Sequence, residues 1–274
     1  MNLYARLSTV KSDLKISGVS EDAALLRLLD AISRAIDNEC NVHFYSQIDT
    51  RFLDGNGQRS LWLSEDNDND LISVTAILCD WNGDGVYETT LISQTDYWLW
   101  PANETPKLRI DLNPYGSHFL VFPAGRLRVQ IQGLFGYSNE TELTGATLNA
   151  AIAAGDTSVV LTAGDGLFVG VGETLVLDSE QVYVSGLSID TLTLVRGING
   201  TTAASHLILA PVSRRRYPRE VELAATMQAS RFLREMQTGY SGTAGDSGEG
   251  GYIFSHLYPA IRDLLAPFRR YVLA

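Results

Sequence analysis

The stretch Arg126-Leu127-Arg128-Val129-Gln130-Ile131 alternates polar and apolar side chains, which is the pattern of a β-strand that buries one face. Similar short runs precede it at residues 60–63, 74–78, 97–100 and 108–112. Turn-forming segments rich in Gly, Asn, Asp and Pro separate the runs, at residues 54–57, 82–85 and 123–125. Residues from about 50 to 138 are therefore predicted to form an antiparallel β module.

Helical periodicity precedes this module. Ser20 is a suitable N-cap residue, and Glu21 and Asp22 follow it at the end of a helix that favours negative charge. Apolar side chains then recur at helical spacing at residues 25, 28, 29, 32, 35 and 36. The chain is therefore predicted to begin with helices and to continue into the sheet.

Residues 139–212 differ in composition from what surrounds them. Between 141 and 212 the chain has nine glycines and a single basic residue, Arg196. Strand-like runs recur about every ten residues, at 158–161, 174–177, 181–184 and 191–195. This segment is predicted to be a small all-β domain inserted into the rest of the chain.

The C-terminal part is predicted to be helical. A helix is expected within residues 213–237, a glycine-rich linker at 238–251 and a terminal arm at 252–274. The overall prediction is an α+β fold in which the C-terminal helices form a helical bundle with the N-terminal ones. Its divisions are 1–138, 139–212, 213–237, 238–251 and 252–274.

Composition and charge argue against a membrane-spanning protein and against a protein that binds nucleic acid over most of its surface. The chain has 274 residues, 45% hydrophobic, with no apolar stretch of membrane-spanning length, and the pattern of its first residues predicts no signal peptide. Its formal net charge is −11. Residues 1–140 carry 11 Lys and Arg against 19 Asp and Glu, residues 141–212 carry 1 against 7, and residues 213–274 carry 9 against 6. An acidic body repels nucleic-acid phosphate, so only the basic C-terminal part is expected to meet an acidic partner.

Two acidic segments are candidates for cation binding. Asp80, Asn82 and Asp84 match the opening half of an EF-hand-like calcium loop, but Leu91 stands where the bidentate acid is expected. A β-hairpin turn is the favoured alternative, because Asn-Gly and Asp-Gly supply the positive φ angles of such turns. The cluster at 65–70 is interpreted as a solvated loop.

Catalytic patterns are weak. Cys40 and Cys79 lack metal-ligand spacing, and the four histidines lie outside any nucleophile or zinc motif. We therefore predict no enzymatic activity and no cofactor. The sharpest charge run contains Arg214, Arg215, Arg216 and Arg219, at the predicted start of a helix, where basic residues oppose the macrodipole. These arginines are expected either to form a charged interface with a partner or to neutralise acids of the same chain.

Four segments, taken in order, resemble one family. They are residues 7–14 with 22–37, residues 40–45, residues 229–235 and residues 263–270. Together they are similar to the head-to-tail connector, or adaptor, proteins of tailed bacteriophages, over residues 1–138 and 213–274. The inserted segment departs from that family, but its residues 180–184 and 194–206 resemble a small β module that recurs in phage structural proteins.

The resemblance implies a virion structural protein that forms a ring, usually of twelve copies, beneath the portal. Such a ring joins the portal to a tail-side neck or tail terminator protein and lines a channel through which DNA passes without specific binding. It would be assembled in the host cytoplasm and reside in the virion neck, with no membrane association. Its portal-binding residues are expected in the terminal arm: Ile261, Arg262, Leu264, Leu265, Phe268, Arg269, Arg270 and Tyr271.

Two other functions remain open from the residues. The first is a capsid or tail decoration module that binds through the β insert. The second is a calcium-dependent hydrolase, which requires the Asp80 loop to hold metal.

Overall fold

The computed structural model describes residues 2–63, 70–116, 119–237 and 257–270. Its helices are α1 (Leu7–Leu14), α2 (Asp22–Cys40), α3 (Arg219–Gln237) and α4 (Pro259–Leu265). The strands before residue 140 are β1 (Gln47–Asn56), β2 (Ser60–Trp62), β3 (Leu71–Cys79), β4 (Thr89–Leu91), β5 (Tyr97–Trp100), β6 (Arg109–Leu112) and β7 (Ala124–Phe135). Those after it are β8 (Thr141–Thr147), β9 (Ser158–Val160), β10 (Thr174–Leu177), β11 (Glu180–Ser188), β12 (Thr191–Val195) and β13 (Pro211–Arg215).

The described residues of 41–139 form one compact unit, together with residues 199–201 and Arg270. It contains a four-stranded sheet in the order β1-β7-β3-β4 and a three-stranded sheet in the order β2-β6-β5, both antiparallel. Burial alternates along β7 from Val129 to Phe135, so one face of this central strand enters the core. The opposed inward side chains of β3 include Ile77 and Cys79.

Gly133 shows how closely β7 approaches its neighbour β3. A Cβ atom at this position would lie 2.4 Å from the carbonyl oxygen of Ser73, where the pairing of the two strands shifts in register. A side chain there would force the strands apart, so the sequence needs glycine within this strand.

The second compact unit contains the described residues of 2–40, 140–198, 202–237 and 257–269. Its six-stranded antiparallel sheet has the order β8-β13-β10-β11-β12-β9. Leu175, Val182, Val184 and Leu192 lie in the core of this sheet. The apolar stripe of α2 is buried at Leu25, Leu29, Ile32 and Ile36, and α2 contacts α3 and α4.

The predicted fold class is wrong. The structure is mostly β, with three antiparallel sheets and 35% strand, and the four helices of the described residues account for 24%. Helices α1 and α4 have eight and seven residues, which is about two turns each. Elements of this length cannot supply the long packed seams of a helical bundle, so the sheets determine the architecture.

The composition of the chain does not show how the chain divides into compact units. Residues 140–198 fall in the same compact unit as the four helices. Asn2, for example, accepts a hydrogen bond of 3.0 Å from the buried Thr174 hydroxyl at the start of β10. The five predicted divisions stay a prediction. Among the described residues, none of the helices is both long and apolar enough to cross a membrane.

Candidate functional site

The predicted arginine cluster lies where β13 ends and α3 begins. Arg214 belongs to β13 and is buried, and Arg216 follows the strand on the same side, since side chains alternate along a strand. Arg214 Nε donates to Glu173 Oε2 at 3.0 Å, and its Nη1 donates to Glu142 Oε1 at 3.3 Å. The strand carries this arginine in its buried face because two carboxylates neutralise it, Glu142 in the adjacent β8 and Glu173 directly before the adjacent β10.

Glu142 is shared by several arginines. Arg6 and Arg216 both pair with it, and Arg216 Nε also pairs with Glu222 at 3.0 Å. Burial alone would raise the pKa of Glu142, but the hydrogen bonds from Arg216 and Arg6 hold that pKa below its ordinary value. At Glu173, by contrast, burial outweighs the attraction of Arg214 and Arg6 and raises the pKa.

A cavity of about 470 Å³ lies beside this cluster. Arg6, Arg215, Arg219, Asp13 and Glu222 are among the residues that line it, so its charges are mixed. Arg215 is half-buried, and burial lowers the pKa of its guanidinium, whereas Arg219 is exposed. Intrachain neutralisation, the alternative left open by the sequence, therefore describes Arg214 and Arg216, and a partner contact by these four residues stays a prediction.

The terminal segment 257–270 packs on its own chain. Ile261 and Leu265 are buried on the inner side of α4, Phe268 is buried just after it, and Leu264 is half-buried. Tyr258, which precedes α4, lies beneath the Arg231 guanidinium of α3, at 3.7 Å from the centre of its ring. The apolar side chains predicted to bind the portal thus lie in an intrachain core in this structure.

The arginines of that segment are paired as well. Arg262 Nε lies 3.0 Å from Glu39 Oε1, and Arg269 pairs with the same carboxylate. Arg270 Nη2 lies 3.2 Å from the buried Asp70. Tyr271 lies outside the described residues, as does the predicted linker at 238–251. Binding of the portal by this segment stays a prediction.

The Asp80 loop is explained as a turn. Each carboxylate oxygen of Asp80 accepts a backbone N–H, from Gly83 at 2.6 Å and from Gly85 at 3.0 Å, and Arg128 lies 3.3 Å away. Both glycines have positive φ angles, 84° and 87°. Although burial acts in the opposite direction, these hydrogen bonds and the Arg128 charge lower the pKa of Asp80.

Carboxylate oxygens of Asp80, Asp84 and Glu88 do lie within 4.8 Å of one another. The Asn82 amide, however, donates to both Asp84 and Glu88, at 3.1 and 2.8 Å. Leu91, at the position of the missing calcium ligand, is a buried residue of β4. The cluster is therefore accounted for by hydrogen bonds of the turn. Residues 65–69 of the other acidic segment lie outside the described residues.

Sequence reasoning missed a buried network in the six-stranded sheet. Glu180 begins β11, Arg196 follows β12, and His206 lies ten residues further on; the three side chains are 1%, 5% and 2% exposed. Arg196 donates to Glu180 through Nε and Nη2, both at 2.7 Å, and His206 Nε2 lies 2.9 Å from Glu180. The signal was available, since Arg196 is the single basic residue between 141 and 212.

Backbone groups complete the network. Gly197 and Ala204 each donate an N–H to Glu180 at 3.0 Å, and Arg196 Nη1 donates to the carbonyl of Asp156 at 2.8 Å. Burial would raise the pKa of Glu180, but the donors from Arg196, Ala204 and His206 lower it to about 2. The network pins the segment from 196 to 206 against the start of β11, which makes it a structural clamp rather than an open reactive site.

No protein-family model and no curated protein matches this chain.

Proposed function

We propose that the chain is an adaptor that joins a phage portal to the tail and lines the DNA exit channel. The proposal rests on the order of the connector-like segments and on one structural observation. Arg214, Arg216, Arg262, Arg269 and Arg270, five of the nine basic residues after position 212, each pair with a carboxylate of the same chain.

That pairing bears on how the chain would meet DNA. A guanidinium engaged with a carboxylate is a poor partner for phosphate, and the chain as a whole carries −11. A wall of this charge repels a duplex that moves past it. The electrostatics therefore favour a channel that lets DNA slide without capturing it, in place of a nucleic-acid-binding surface.

The terminal segment would hold the portal. In the free chain its apolar residues pack on α2 and α3, and Arg262 and Arg269 share Glu39. Arg262 is 46% exposed at its side chain, so its ion pair is only weakly stabilising. In the proposed complex, portal carboxylates replace Glu39 as the partner of these arginines, and α4 changes its packing partner.

The proposal predicts that charge in this segment controls portal binding. The double substitution Arg262→Ala and Arg269→Ala should weaken binding to the portal protein of the same phage at least tenfold, measured by biolayer interferometry with the full chain. Arg27→Ala is the matched control, because Arg27 is an exposed arginine of α2 outside this segment. Unchanged binding by the double variant, with native melting behaviour, would contradict the role of the segment.

A second candidate function is a decoration module that uses the six-stranded sheet. Leu207, Ile208 and Leu209 are consecutive and are exposed by 77%, 57% and 64%. Consecutive exposed apolar residues in a turn are typical of protein-binding surfaces. Leu207→Ser with Ile208→Ser should abolish binding to purified capsids if this function holds, and should leave portal binding intact if the adaptor function holds.

A further inference from the structure

The outer face of the three-stranded sheet carries three of the four tryptophans of the chain. Trp62 on β2, Trp98 on β5 and Trp100 on β5 are 43%, 45% and 51% exposed. The register places Trp62, Arg109 and Trp100 in one row across the sheet, and Ser60, Asp111 and Trp98 in the next. Because side chains alternate, all six point to the same face. We call these six residues the aromatic face.

Arg109 holds the centre of this face. Its guanidinium carbon lies 4.9 Å from the centre of the Trp62 ring and 5.4 Å from that of the Trp100 ring. Its Nη2 donates to Asp111 at 2.7 Å. The arginine therefore positions two indoles by cation–π contact, while its charge is neutralised by the aspartate. The aromatic face carries no net charge.

A cavity adjoins the aromatic face at Trp98. It measures about 440 Å³, and its lining includes Trp98, Ser93, Gln94 and Lys107. Ser93 and Gln94 are exposed and offer a hydroxyl and an amide. An aromatic wall with a few polar groups, at this volume, is the usual composition of a small-ligand site.

Size and charge select the ligand. Three half-exposed indoles offer about 300 Å² of apolar surface, whereas a stable protein interface needs about 800 Å² on each side. A single strand of nucleic acid would also stack on indoles, but it requires basic residues along its backbone. Here the Lys107 ammonium already donates to the carbonyls of Pro101 and Ala102, and Arg109 is paired with Asp111.

The geometry points to a neutral saccharide as the occupant of the aromatic face. The apolar C–H side of a pyranose ring stacks on an exposed indole, and its hydroxyls hydrogen-bond to carboxylate, amide and hydroxyl groups such as those of Asp111, Gln94 and Ser93. Trp98 touches both the aromatic face and the cavity, so it is the central contact. This site is independent of the proposed adaptor function.

Tryptophan fluorescence of the full chain tests the site. The probes are cellotetraose, maltotetraose and tetra-N-acetylchitotetraose, three neutral tetrasaccharides, each titrated to 10 mM. At least one should produce a saturable change in emission. Trp98→Ala should weaken that binding at least tenfold, and Asp111→Asn should weaken it severalfold. Trp81→Phe should bind as the parent chain does, because Trp81 is half-buried and stacks on Phe119 at 4.9 Å.

Sedimentation velocity of the same samples identifies the competing occupant. Absence of a saturable change with all three tetrasaccharides would overturn the inference. So would self-association of the parent chain that Trp98→Ala abolishes, because the face would then belong to a second copy. Since Trp98 is half-exposed, its variant should retain the parent melting temperature.

Discussion

Two arginines of this chain, Arg109 within β6 and Arg196 directly after β12, have opposite surroundings. Arg196 is 5% exposed and makes a two-pronged pair with Glu180, whose remaining acceptor capacity is filled by backbone N–H groups and His206. Arg109 is 24% exposed, pairs with Asp111 through one nitrogen, and contacts two half-exposed indoles. From this comparison we expect the contribution of an arginine to the free energy of unfolding to increase with its burial and with the number of hydrogen bonds that its ion pair makes.

The largest expected effect comes from breaking the buried clamp. Glu180→Gln leaves Arg196 buried without its counter-charge, and loss of one partner of a buried ion pair costs about 3–5 kcal/mol. Urea denaturation followed by circular dichroism should show that loss in the free energy of unfolding. Asp178→Asn is the control: it also contacts His206, at 2.7 Å, but its side chain is 63% exposed and its loss should cost under about 1 kcal/mol. Equal losses in the two variants would contradict the distinction.

Acid should weaken the clamp in a defined pH window. The pKa of Glu180 is about 2 in the folded chain and has an ordinary value of 4.5. A carboxylate with a lowered pKa contributes stability that is fully present above its unfolded value and is lost as the pH falls towards the folded one. The free energy of unfolding should therefore fall between pH 4.5 and 2 more steeply in the parent chain than in Glu180→Gln. Parallel pH profiles would show that Glu180 is not the group responsible.

Breaking the surface arginine should cost far less. Arg109→Ala removes a partly exposed ion pair and two cation–π contacts, which together are worth about 1–2 kcal/mol. The near-ultraviolet circular dichroism spectrum should change clearly even though the free energy of unfolding falls only by this amount, because Trp62 and Trp100 lose the group that orders them. A loss of 3 kcal/mol or more would mean that Arg109 acts as a clamp like Arg196.

A third arginine has the smallest expected effect. Arg128 pairs with Asp80, whose carboxylate is also held by two backbone N–H groups. Arg128→Ala should therefore lower the melting temperature only slightly, and by less than Glu180→Gln does. Calcium at millimolar concentration should leave the melting temperature of the parent chain unchanged, because the Asp80 oxygens serve the turn. A clear rise in melting temperature that Asp84→Asn removes would show a metal site.

The sequence predicted the elements whose signals are local. The strand runs at 158–161, 174–177, 181–184 and 191–195 correspond to β9, β10, β11 and β12, and the helix expected within residues 213–237 is α3. The alternation of apolar side chains in a strand and their helical spacing in a helix are both local properties. Such signals do not need knowledge of which segments meet in space.

The sequence analysis did not predict β13, because the burial of this strand depends on residues that are distant in the sequence. Arg214 and Arg215 made its end look like an exposed charge run, yet Arg214 is buried, because Glu142 and Glu173 lie 72 and 41 residues away in sequence and neutralise it. The predicted helical bundle was wrong for a related reason: the periodicity of the apolar residues indicates helices but does not show that α1 and α4 are only eight and seven residues long. The sequence analysis also did not predict the aromatic face. Only the strand register shows that Arg109 and Asp111 lie between the three tryptophans.

The proposed adaptor function is tested most directly by electron microscopy of the chain mixed with the portal protein of the phage to which the proposal assigns it. The account predicts a ring with a central hole, stacked coaxially on one end of the portal, and loss of that ring with the Arg262→Ala and Arg269→Ala chain. Portal particles that remain bare at saturating concentrations of the folded parent chain would contradict it.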